Sequence, residues 1–572
     1  MRISKVALAL AVLLLGSLAD TAVASAQTSI RQSIKAPSPA ISQTAAFDVS
    51  PAVRDLASPP SASAHSTADA DEAVPERGPN TGDGSYTGDG SYTGDAAHQG
   101  RGSDNGGLSP LVSFEGLSNQ DNVTVGLRLV APPDPVGAVG PNHYVEMVNL
   151  VFAVYNKQGT KLAGPFQLGS LWRGFAVPEC AANSGDPVVL YDRRADRWIL
   201  TQFSDSSKTY TYNCVAVSQT SDPTGAYFRY AFFWGAFFPD YPKYSVWKNS
   251  YLLTSRDFGP TTEYGISAVA LERQKMIAGD PTARMVKFFL DSAVVPLYLM
   301  GDGLLPADID GMRMPNDDAA PIVGTMNFGA GYGAPFDALN VFELAVDWSD
   351  VESASFGLVA QLPVATFTSR FPCTAPAPAS QTRSCIPQPG TTRKIDVLSY
   401  RQRPTFRLAF RAFGGYESMV TNQSVQASPG MAGVRWYEIR RKDEQYSVYQ
   451  QGTYAPNDGV HRWMGSAAMD RKGNIGLGYS VSNGGDVYPG IRFTGRLKND
   501  PPGQMTLGEG VIIAGSGSQL TRNSRWGDYT SMNIDPTDDC TFWYVNEYVQ
   551  TTGLAPWQTR IGSFQLPGCE PD

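Results

Sequence analysis

The sequence predicts an all-β protein and, within that class, a β-propeller. Gly (57 residues) and Pro (41 residues) are abundant, aromatic residues make up 11% of the chain, and charged residues make up only 17%. Frequent turns joined by aromatic-rich strands are typical of all-β folds. The second observation is a strand–turn–strand unit that recurs seven times after residue 108. Three or four strands repeated at intervals of roughly 50 to 100 residues are typical of a propeller with long insertions.

Each copy of the repeat consists of an apolar strand, often opened by Asp, then an acidic or Gly/Asn turn, then a second strand with aromatic residues. The seven copies begin at Asp134, Gly185, Asp240, Asp308, Phe406, Arg462 and Arg525. A third strand follows each copy, such as VFAVYN after the first and TRIGSFQL after the last. Because one such sheet cannot bury both of its faces alone, we expect the copies to stack as the blades of a ring. Seven blades is our count, with six or eight as alternatives because the fourth and fifth copies are the least regular.

The last copy has no evident fourth strand. The segment Pro110–Leu117, PLVSFEGL, stands before the first copy. We expect this segment to complete the last blade, which would close the ring and remove two exposed strand edges. The predicted propeller domain spans residues 108–572.

The N-terminal 26 residues have the features of a secretory signal peptide. Arg2 and Lys5 precede an apolar run, Val6–Ala19, that is too short to span a membrane, and Ala24–Ala26 forms an A-x-A cleavage site. We therefore expect an exported protein, extracellular or periplasmic.

Residues 27–107 are predicted to form a disordered, low-complexity leader. They are rich in Ala, Ser, Pro, Asp and Gly and poor in large apolar side chains. The repeat TGDGSYTGDGSYTGD, Thr81–Asp95, is interpreted as a flexible spacer, with a Ca²⁺-binding turn as the alternative.

The six cysteines favour disulfide bonds in an exported chain. Six cysteines allow 15 connectivities. Pairing of sequence neighbours gives the shortest loops, and it predicts the disulfides Cys180–Cys214, Cys373–Cys385 and Cys540–Cys569.

The formal net charge of −9 disfavours nucleic acid as a partner and disfavours electrostatic docking on anionic lipid. No later stretch reaches 18 uninterrupted apolar residues, so we predict no transmembrane segment. We expect a monomer whose partner is an extracellular glycan or protein.

The candidate site follows from the predicted ring, because the first strand of each blade lines the channel and the strand starts gather at one mouth. The acidic residues at these starts are Asp134, Asp186, Asp240, Asp308 and Asp528, with Asp310 nearby. The basic residues there are Arg403, Arg407, His461, Arg462 and Arg525. Arg forks hold carboxylate or sulfate groups, and crowded carboxylates raise one another's pKa and so produce a general acid.

We name Asp528 and Arg525 as candidate catalytic residues. The candidate ligand-binding residues are Asp134, Asp186, Asp240, Asp308, Arg407, His461, Arg462 and Arg492. The alternative for each Asp is a structural role, in which it accepts backbone N–H bonds at a strand entrance.

No cofactor is expected, although a Ca²⁺ ion held on the axis by oxygen ligands is a further alternative. Zinc is disfavoured, because two of the four His lie in the leader and leave His143 and His461. The sequence contains no G-x-S-x-G nucleophile elbow and no H-E-x-x-H motif.

Three stretches, DPVVLYDRRADRWILTQF, HRWMGSAAMDRKGNIGLGYSVS and RWGDYTSMNIDP…TFWYVNEY, resemble the repeats of a broad group of secreted, uncharacterised bacterial β-propeller-like proteins. This resemblance covers nearly everything after Leu108 and implies a propeller and secretion, but no reaction.

DRKGN at Asp470 and DPTDDCTFW at Asp535 more distantly resemble the Asp-boxes of sialidase-type propellers, although here the turn joins the first two strands of the unit. The sialidase resemblance implies an arginine triad, for which Arg462, Arg492 and Arg525 are available. It also implies a Tyr–Glu pair, which Glu547 would form with Tyr529 or Tyr548.

Two functions therefore compete. The first is a secreted binding or interaction propeller that recognises an extracellular glycan or protein through the channel mouth, and the missing catalytic signatures favour it. The alternative is a carbohydrate-active hydrolase or lyase, sialidase-like, acting on an anionic glycan. In that hypothesis Asp528 donates a proton, and Arg525 or Arg462 holds the anionic sugar.

Overall fold

The computed structural model describes residues 37–56, 93–102, 107–328, 332–369, 371, 384–397 and 402–569. The chain is all-β. Its helices within these ranges are short: α-helices at Asn119–Thr124, Arg273–Ala278 and Leu297–Met300, and 3-10 helices at Val53–Asp55, Leu168–Trp172 and Pro178–Ala181. Within these ranges, no helix has both the length and the apolar character that crossing a membrane requires.

Most strands belong to seven consecutive antiparallel units of four strands, which we number 1 to 7. Units 1 to 3 are Val136–Val139, His143–Val148, Val151–Asn156, Lys161–Gln167; Val188–Asp192, Arg197–Phe203, Thr211–Ser218, Tyr227–Gly235; and Phe238–Val246, Ser250–Phe258, Tyr264–Glu272, Arg284–Asp291. Units 4 and 5 are Leu305–Asp310, Ala320–Met326, Ala338–Asp347, Asp350–Pro363; and Thr405–Ala412, Glu417–Ser428, Met431–Lys442, Gln445–Tyr454. Units 6 and 7 are His461–Met469, Ile475–Ser482, Tyr488–Arg496, Gly510–Gly515; and Ser531–Ile534, Phe542–Val549, Trp557–Phe564, Val112–Ser118. A separate hairpin pairs Ser384–Ile386 with Ile395–Asp396.

The first strands of successive units contact one another, and the first strand of unit 7 contacts the first strand of unit 1. The fourth strand of unit 7 is Val112–Ser118, which pairs antiparallel with Trp557–Phe564 and places Phe114 opposite Ile561. The segment PLVSFEGL therefore pairs with the last strand of the chain, as its position before the first repeat predicts.

Units 4 and 5 depart from the simple repeat. The first strand of unit 4 pairs in parallel with the first strand of unit 5, with Ala307 opposite Leu408. This pairing merges the two units into one nine-stranded sheet that also includes His98–Gln99. The merged sheet was not predicted, and it involves the two copies whose repeats are the least regular.

Several parts of the expected leader form strands, and His98–Gln99 is one of them. Ala40–Gln43 adds a fifth strand to unit 3, and Ala46–Val49 adds a fifth strand to unit 2. Asp48 forms an ion pair with Arg229 at 2.6 Å, and Phe47 packs on Tyr230 with their ring centroids 5.0 Å apart. The composition of the whole leader does not reveal these short alternating segments. Local sequence also gives no sign of them, because the sheet edges that they pair with lie far along the chain. Residues 57–92 and 103–106, with most of the TGDGSY repeat, and the predicted signal peptide lie outside the described residues.

The strands pack on both faces. Every residue of Ser250–Phe258 and Tyr264–Glu272 is buried, which explains why these strands lack a polar–apolar alternation. The largest buried side chains include Trp172, Trp198, Trp436, Trp463, Trp526 and Trp557. Interleaved aromatic and aliphatic side chains therefore form the core between neighbouring units.

The acidic turn at Asp535–Asp539 joins the first two strands of unit 7 at the end of the fold opposite the strand starts. Asp539 accepts ion pairs from Arg193 of unit 2 at 2.9 Å and from Arg411 of unit 5 at 2.7 Å. Asp535 pairs with Lys157 of unit 1 at 2.8 Å. One turn thus contacts three other units, and its acidic residues have a structural role.

Two predicted disulfides are present. Cys180 and Cys214 have Cα atoms 5.7 Å apart, and those of Cys540 and Cys569 are 5.5 Å apart. The predicted partner of Cys385, Cys373, lies outside the described residues.

Candidate functional site

Charged side chains from six units meet where the first strands begin. We call this group the central cluster and define it as Asp134, Asp186, Asp240, Asp302, Asp528, Glu547, Lys243, Arg256, Arg403, Arg525, Tyr241 and Tyr529. Each of these residues is less than 8% exposed. Three of the candidate ligand-binding acids, Asp134, Asp186 and Asp240, and both candidate catalytic residues belong to it.

The repeated Asp–Pro dipeptides position the first two acids. Asp134 and Asp186 lie two residues before the first strands of units 1 and 2, with φ of +47° and +40°. Asp tolerates this left-handed backbone better than most residues. Asn149 connects the two, since its amide group donates to Asp134 at 2.8 Å and its side-chain oxygen accepts the amide of Asp186 at 2.9 Å.

Asp528 approaches from unit 7. Its backbone amide donates to Asp134 Oδ1 at 2.6 Å. Its carboxylate lies 2.8 Å from the guanidinium of Arg525 and 3.8 Å from that of Arg403. Asp528 therefore faces two cations on its side chain and a carboxylate on its backbone.

Lys243 lies between two aromatic rings of the cluster. Its Nζ is 3.0 Å from the ring centroid of Tyr241 and 3.4 Å from that of Tyr529. The hydroxyl of Tyr529 donates to Asp186 Oδ2 at 3.1 Å. The lysine is fully buried, and burial lowers its pKa well below the usual value.

A β-bulge places Tyr241 and Lys243 in the cluster. The pairing of the first two strands of unit 3 shifts between Asp240 and Lys243, and Tyr241 has φ +53°. A bulge redirects side chains that would otherwise alternate across the sheet. Strand alternation alone therefore does not predict these two residues.

Arg256 supplies a cation from the second strand of unit 3. Its guanidinium lies 3.9 Å from Asp240 and 3.8 Å from Asp302, longer than direct hydrogen bonds. The other partner of Asp302 is Tyr332, whose hydroxyl donates to it at 2.6 Å.

Five carboxyl groups of the cluster have a shifted pKa, four of them raised and one lowered. Burial, together with the charge of Asp528, raises the pKa of Asp134 to about 6. Burial and the neighbouring Asp134, Asp240 and Asp528 raise the pKa of Asp186 well above its usual value. Burial also raises the pKa of Glu547. The cluster therefore contains carboxyl groups that retain a proton under mildly acidic conditions.

Asp528 belongs to the opposite class. Burial alone would raise its pKa, but the charges of Arg525, Arg403 and Lys243 outweigh burial and hold the pKa below the usual value. Asp528 is therefore an ionised carboxylate, which is opposite to the proton-donor role that we assigned to it from the sequence.

Several buried polar atoms of the cluster are unsatisfied. Among the described residues, no hydrogen-bond partner reaches Asp302 Oδ2, Asp528 Oδ1, Glu547 Oε2 or the hydroxyl of Tyr241. Buried polar atoms are normally paired with protein or with ordered water. These four atoms are hydrogen-bonding groups that ordered water or a polar ligand would satisfy.

Asp308 and Arg407 do not join the cluster. Arg407 Nε donates to Asp308 at 2.7 Å, and its two terminal nitrogens bind Asp310 at 2.9 and 2.8 Å. Asp308 lies inside the strand Leu305–Asp310 rather than at its start, where we expected it, and its ligand-binding role stays a prediction. The acid before that strand is Asp302.

The structure also separates the three candidates near unit 6. Arg462 is fully buried and pairs with Asp458 at 2.6 Å and Glu509 at 2.8 Å. Arg492 pairs with the same Glu509 at 3.1 Å. His461 accepts a hydrogen bond from the amide of Ala432 at 3.2 Å, and burial lowers its pKa to about 4. These contacts are available for a structural role, and ligand binding by the three residues stays a prediction.

The residues implied by the sialidase resemblance do not assemble. Arg462 and Arg492 share Glu509, whereas Arg525 pairs with Asp528 in the central cluster. Tyr548 donates to Glu115 at 2.9 Å, and Tyr529 donates to Asp186, so neither donates to Glu547. The described geometry contains no arginine triad of these residues.

Sequence reasoning missed Asn149, Tyr241, Lys243, Arg256 and Asp302. The sequence does contain a signal for Asp302. This residue lies in the turn Gly301–Gly303 just before the first strand of unit 4, and Asp134 and Asp186 likewise lie just before the first strands of units 1 and 2. The repeat provides no such signal for Arg256, which lies on a second strand.

The residues that the structure describes contain no group of three or more His, Cys, Asp or Glu side chains arranged to hold a metal ion. The Ca²⁺ ion that the sequence allows stays a prediction.

No family model matches the chain, and no curated protein matches it in sequence. Among solved structures, it is similar to an α-L-arabinanase of Penicillium chrysogenum, with 8% identity, TM-score 0.34, and coverage of 65% of this chain and 90% of that one. It is also similar to an ulvan lyase, with 11% identity, TM-score 0.26, and coverage of 79% and 81%. A sialidase of Trypanosoma rangeli shows 8% identity, TM-score 0.29, and coverage of 77% and 59%. At such TM-scores these likenesses carry no argument about this chain.

Proposed function

We propose that the protein is a secreted, seven-bladed β-propeller enzyme that cleaves an anionic glycan, as a hydrolase or a lyase. The observation that carries this proposal is the central cluster, in which buried carboxyl groups have opposed pKa shifts. Strongly perturbed titratable groups gather at catalytic sites more often than elsewhere. The cyclic contacts of the first strands support the propeller, and the two disulfides support export.

Asp186 is the proposed general acid. Its raised pKa keeps it protonated, and Tyr529 contacts only one of its two oxygens. Asp528 is the proposed carboxylate partner, because Arg525 and Arg403 keep it ionised. An acid and a carboxylate with separated pKa values are the pair that glycosidic cleavage requires.

Arg256 is the proposed anchor for an acidic group of the substrate. Its contacts with Asp240 and Asp302, at 3.9 and 3.8 Å, are longer than direct hydrogen bonds, so these two acids do not use its full capacity to donate. A guanidinium binds a carboxylate or sulfate through two parallel hydrogen bonds. Such a ligand would also offset the desolvation cost of the buried cation.

The same pair of groups serves either reaction. In hydrolysis, Asp186 protonates the glycosidic oxygen while Asp528 attacks the anomeric carbon or removes a proton from the attacking water. In elimination, Asp528 removes the proton beside a uronate carboxylate, and Asp186 protonates the departing oxygen. Hydrolysis consumes water, whereas elimination leaves a carbon–carbon double bond in one product.

A binding role through the channel mouth was the first hypothesis from the sequence. The cluster favours the enzyme instead, because Asp186 is 4% exposed and Lys243 is fully buried. A surface that docks a folded partner presents exposed side chains over about 800 Å². A buried acid–carboxylate pair suits chemistry on a chain that enters the mouth.

The test is incubation of the purified protein with neutral, uronate-containing and sulfated polysaccharides, followed by product analysis by mass spectrometry. Water added across the cleaved bond identifies a hydrolase, and an unsaturated product that absorbs ultraviolet light identifies a lyase. If the protein bound a polymer but formed no product, the proposed enzymatic function would be refuted, and the binding hypothesis would be favoured instead.

A further inference from the structure

A cluster of three aromatic side chains, two of them exposed, lies on unit 2. The rings of Tyr210 and Tyr212 each lie with their centroids 5.6 Å from the centroid of Phe233. Tyr210 is 54% exposed and Phe233 is 46% exposed. We call Tyr210, Tyr212 and Phe233 the aromatic platform. Large aromatic rings grouped in water often mark a binding site.

The platform lies on the same face of the fold as the central cluster. Thr211 begins the third strand of unit 2 and pairs with Gly235, the end of its fourth strand. Antiparallel strands place these ends beside the starts of the first strands. Asp240, in the central cluster, follows Gly235 by five residues in the chain.

A further aromatic contact joins unit 2 to unit 3 near the central cluster. Phe203, at the end of the second strand of unit 2, lies with its ring centroid 4.8 Å from that of Phe238. Phe238 precedes Asp240 by two residues. The platform and the central cluster therefore share one face, along which an extended polymer would run from one to the other.

The chemistry of the platform fits a sugar ring. A pyranose or furanose has an apolar face of C–H groups and a polar rim, and tyrosine offers a ring face with a hydroxyl at its tip. Lys208, whose side chain is 55% exposed, lies two residues before Tyr210, and its ammonium group pairs with Asp205 at 3.7 Å. Three rings offer too little area for a stable interface with a folded protein, which needs about 800 Å² on each partner.

We infer that the aromatic platform is an accessory subsite that binds a sugar ring of an anionic glycan chain, outside the central cluster. This inference rests on the proposed function, because it places the cleaved bond at the cluster. The platform raises the affinity for long polymers and leaves cleavage of short fragments unchanged.

The experiment is affinity electrophoresis in native gels that contain polygalacturonate, ulvan or arabinan. The double variant Tyr210→Ala/Phe233→Ala is compared with wild type. The matched control is Tyr449→Ala, which removes a ring of 47% exposure on the fourth strand of unit 5. The loss of stacking should raise the Kd for the retained polymer roughly tenfold in the double variant and leave it unchanged in the control. Thermal unfolding of all three proteins checks that the fold is intact.

Equal retardation of the wild type and the double variant would overturn the inference, and so would a wild type that none of the three polymers retards. Turnover distinguishes this failure from failure of the proposed function. Cleavage by the wild type with an unchanged Kd in the double variant overturns the subsite alone. A Kd that depends on the platform, with no product from any polymer, supports the subsite and overturns the enzyme.

Discussion

The backbone amide of Asp528 donates a hydrogen bond to the carboxylate of Asp134 at 2.6 Å. The two residues are 394 positions apart in sequence and belong to the last and first units of the chain. This contact holds the backbone of Asp528, whose own carboxyl pKa is lowered, against the carboxyl group of Asp134, whose pKa is raised. The first two predictions follow from that arrangement.

Asp186→Asn and Asp528→Asn should each lower kcat by roughly 10²- to 10⁴-fold on the polymer that the wild type cleaves. Asn has nearly the shape of Asp but neither donates an acidic proton nor carries a negative charge. Steady-state kinetics and thermal unfolding separate lost chemistry from lost structure. Asp350→Asn, at an exposed position on unit 4, is the control and should retain wild-type rates. Wild-type turnover in either cluster variant would refute the assigned roles.

Asp134→Asn should move the alkaline limb of the pH–rate profile to lower pH. The charge of Asp134 raises the pKa of Asp186, so removing it lets Asp186 lose its proton at lower pH. Because the proposed acid must be protonated, activity then declines earlier as pH rises. The measurement is kcat/KM from pH 4 to pH 9 for both proteins. An alkaline limb that stays in place would remove Asp186 from the role of general acid.

Arg407→Leu should destabilise the fold by about 3–5 kcal/mol, because it leaves the buried Asp308 and Asp310 without their shared cation. Denaturant unfolding measures the loss. Arg54→Leu breaks an ion pair whose side chains are 55% and 41% exposed, and should cost less than about 1 kcal/mol. If the Arg407→Leu protein were as stable as wild type but bound glycan differently, Arg407 would instead have a role in ligand binding.

The repeat in the sequence predicted most of the strands because each unit carries its own turn and apolar pattern. It also predicted the pairing of Pro110–Leu117 with the last strand. The last unit lacked a fourth strand, and this segment was a strand that belonged to no other unit. The strands Ala40–Gln43 and Ala46–Val49 were not predicted, because they are short and their partners lie more than 170 residues away. Local pattern carries no information about such distant edges.

The site was predicted in part for a similar reason. Asp134, Asp186, Asp240 and Asp528 stand at strand starts, so an accurate strand boundary was sufficient to group them. Asp308 lies outside the cluster because the strand of unit 4 begins at Leu305, a few residues earlier than we expected. The position of Lys243 in the cluster depends on a β-bulge, and that of Arg256 depends on the orientation of a second strand. The sequence repeat predicts neither feature.

Glu146 connects the strands Val112–Ser118 and Trp557–Phe564, and we call this contact the joint. The ionisation of Glu146 should control the stability of the joint. It lies on unit 1, is fully buried, and accepts hydrogen bonds from the amide of Leu117 at 2.8 Å and from the hydroxyl of Thr559. Burial raises its pKa from 4.5 to about 7. Because the folded protein holds this proton more tightly than the unfolded chain, the contribution is fully present below pH 4.5. It is lost as pH rises through about 7.

Glu146→Gln should therefore be more stable than wild type above pH 7 and similar to it below pH 5. A shift of this size corresponds to about 3 kcal/mol at alkaline pH, since Gln cannot ionise and can still accept from Leu117. The measurement is the free energy of unfolding of both proteins from pH 4.5 to pH 9. Glu115→Gln, on the strand that carries Leu117 and with a side chain 52% exposed, is the control and should retain the wild-type slope. The difference in unfolding free energy between the two proteins isolates Glu146 from the other buried acids. If that difference stayed the same from pH 4.5 to pH 9, the proton on Glu146 would not govern the stability of the joint.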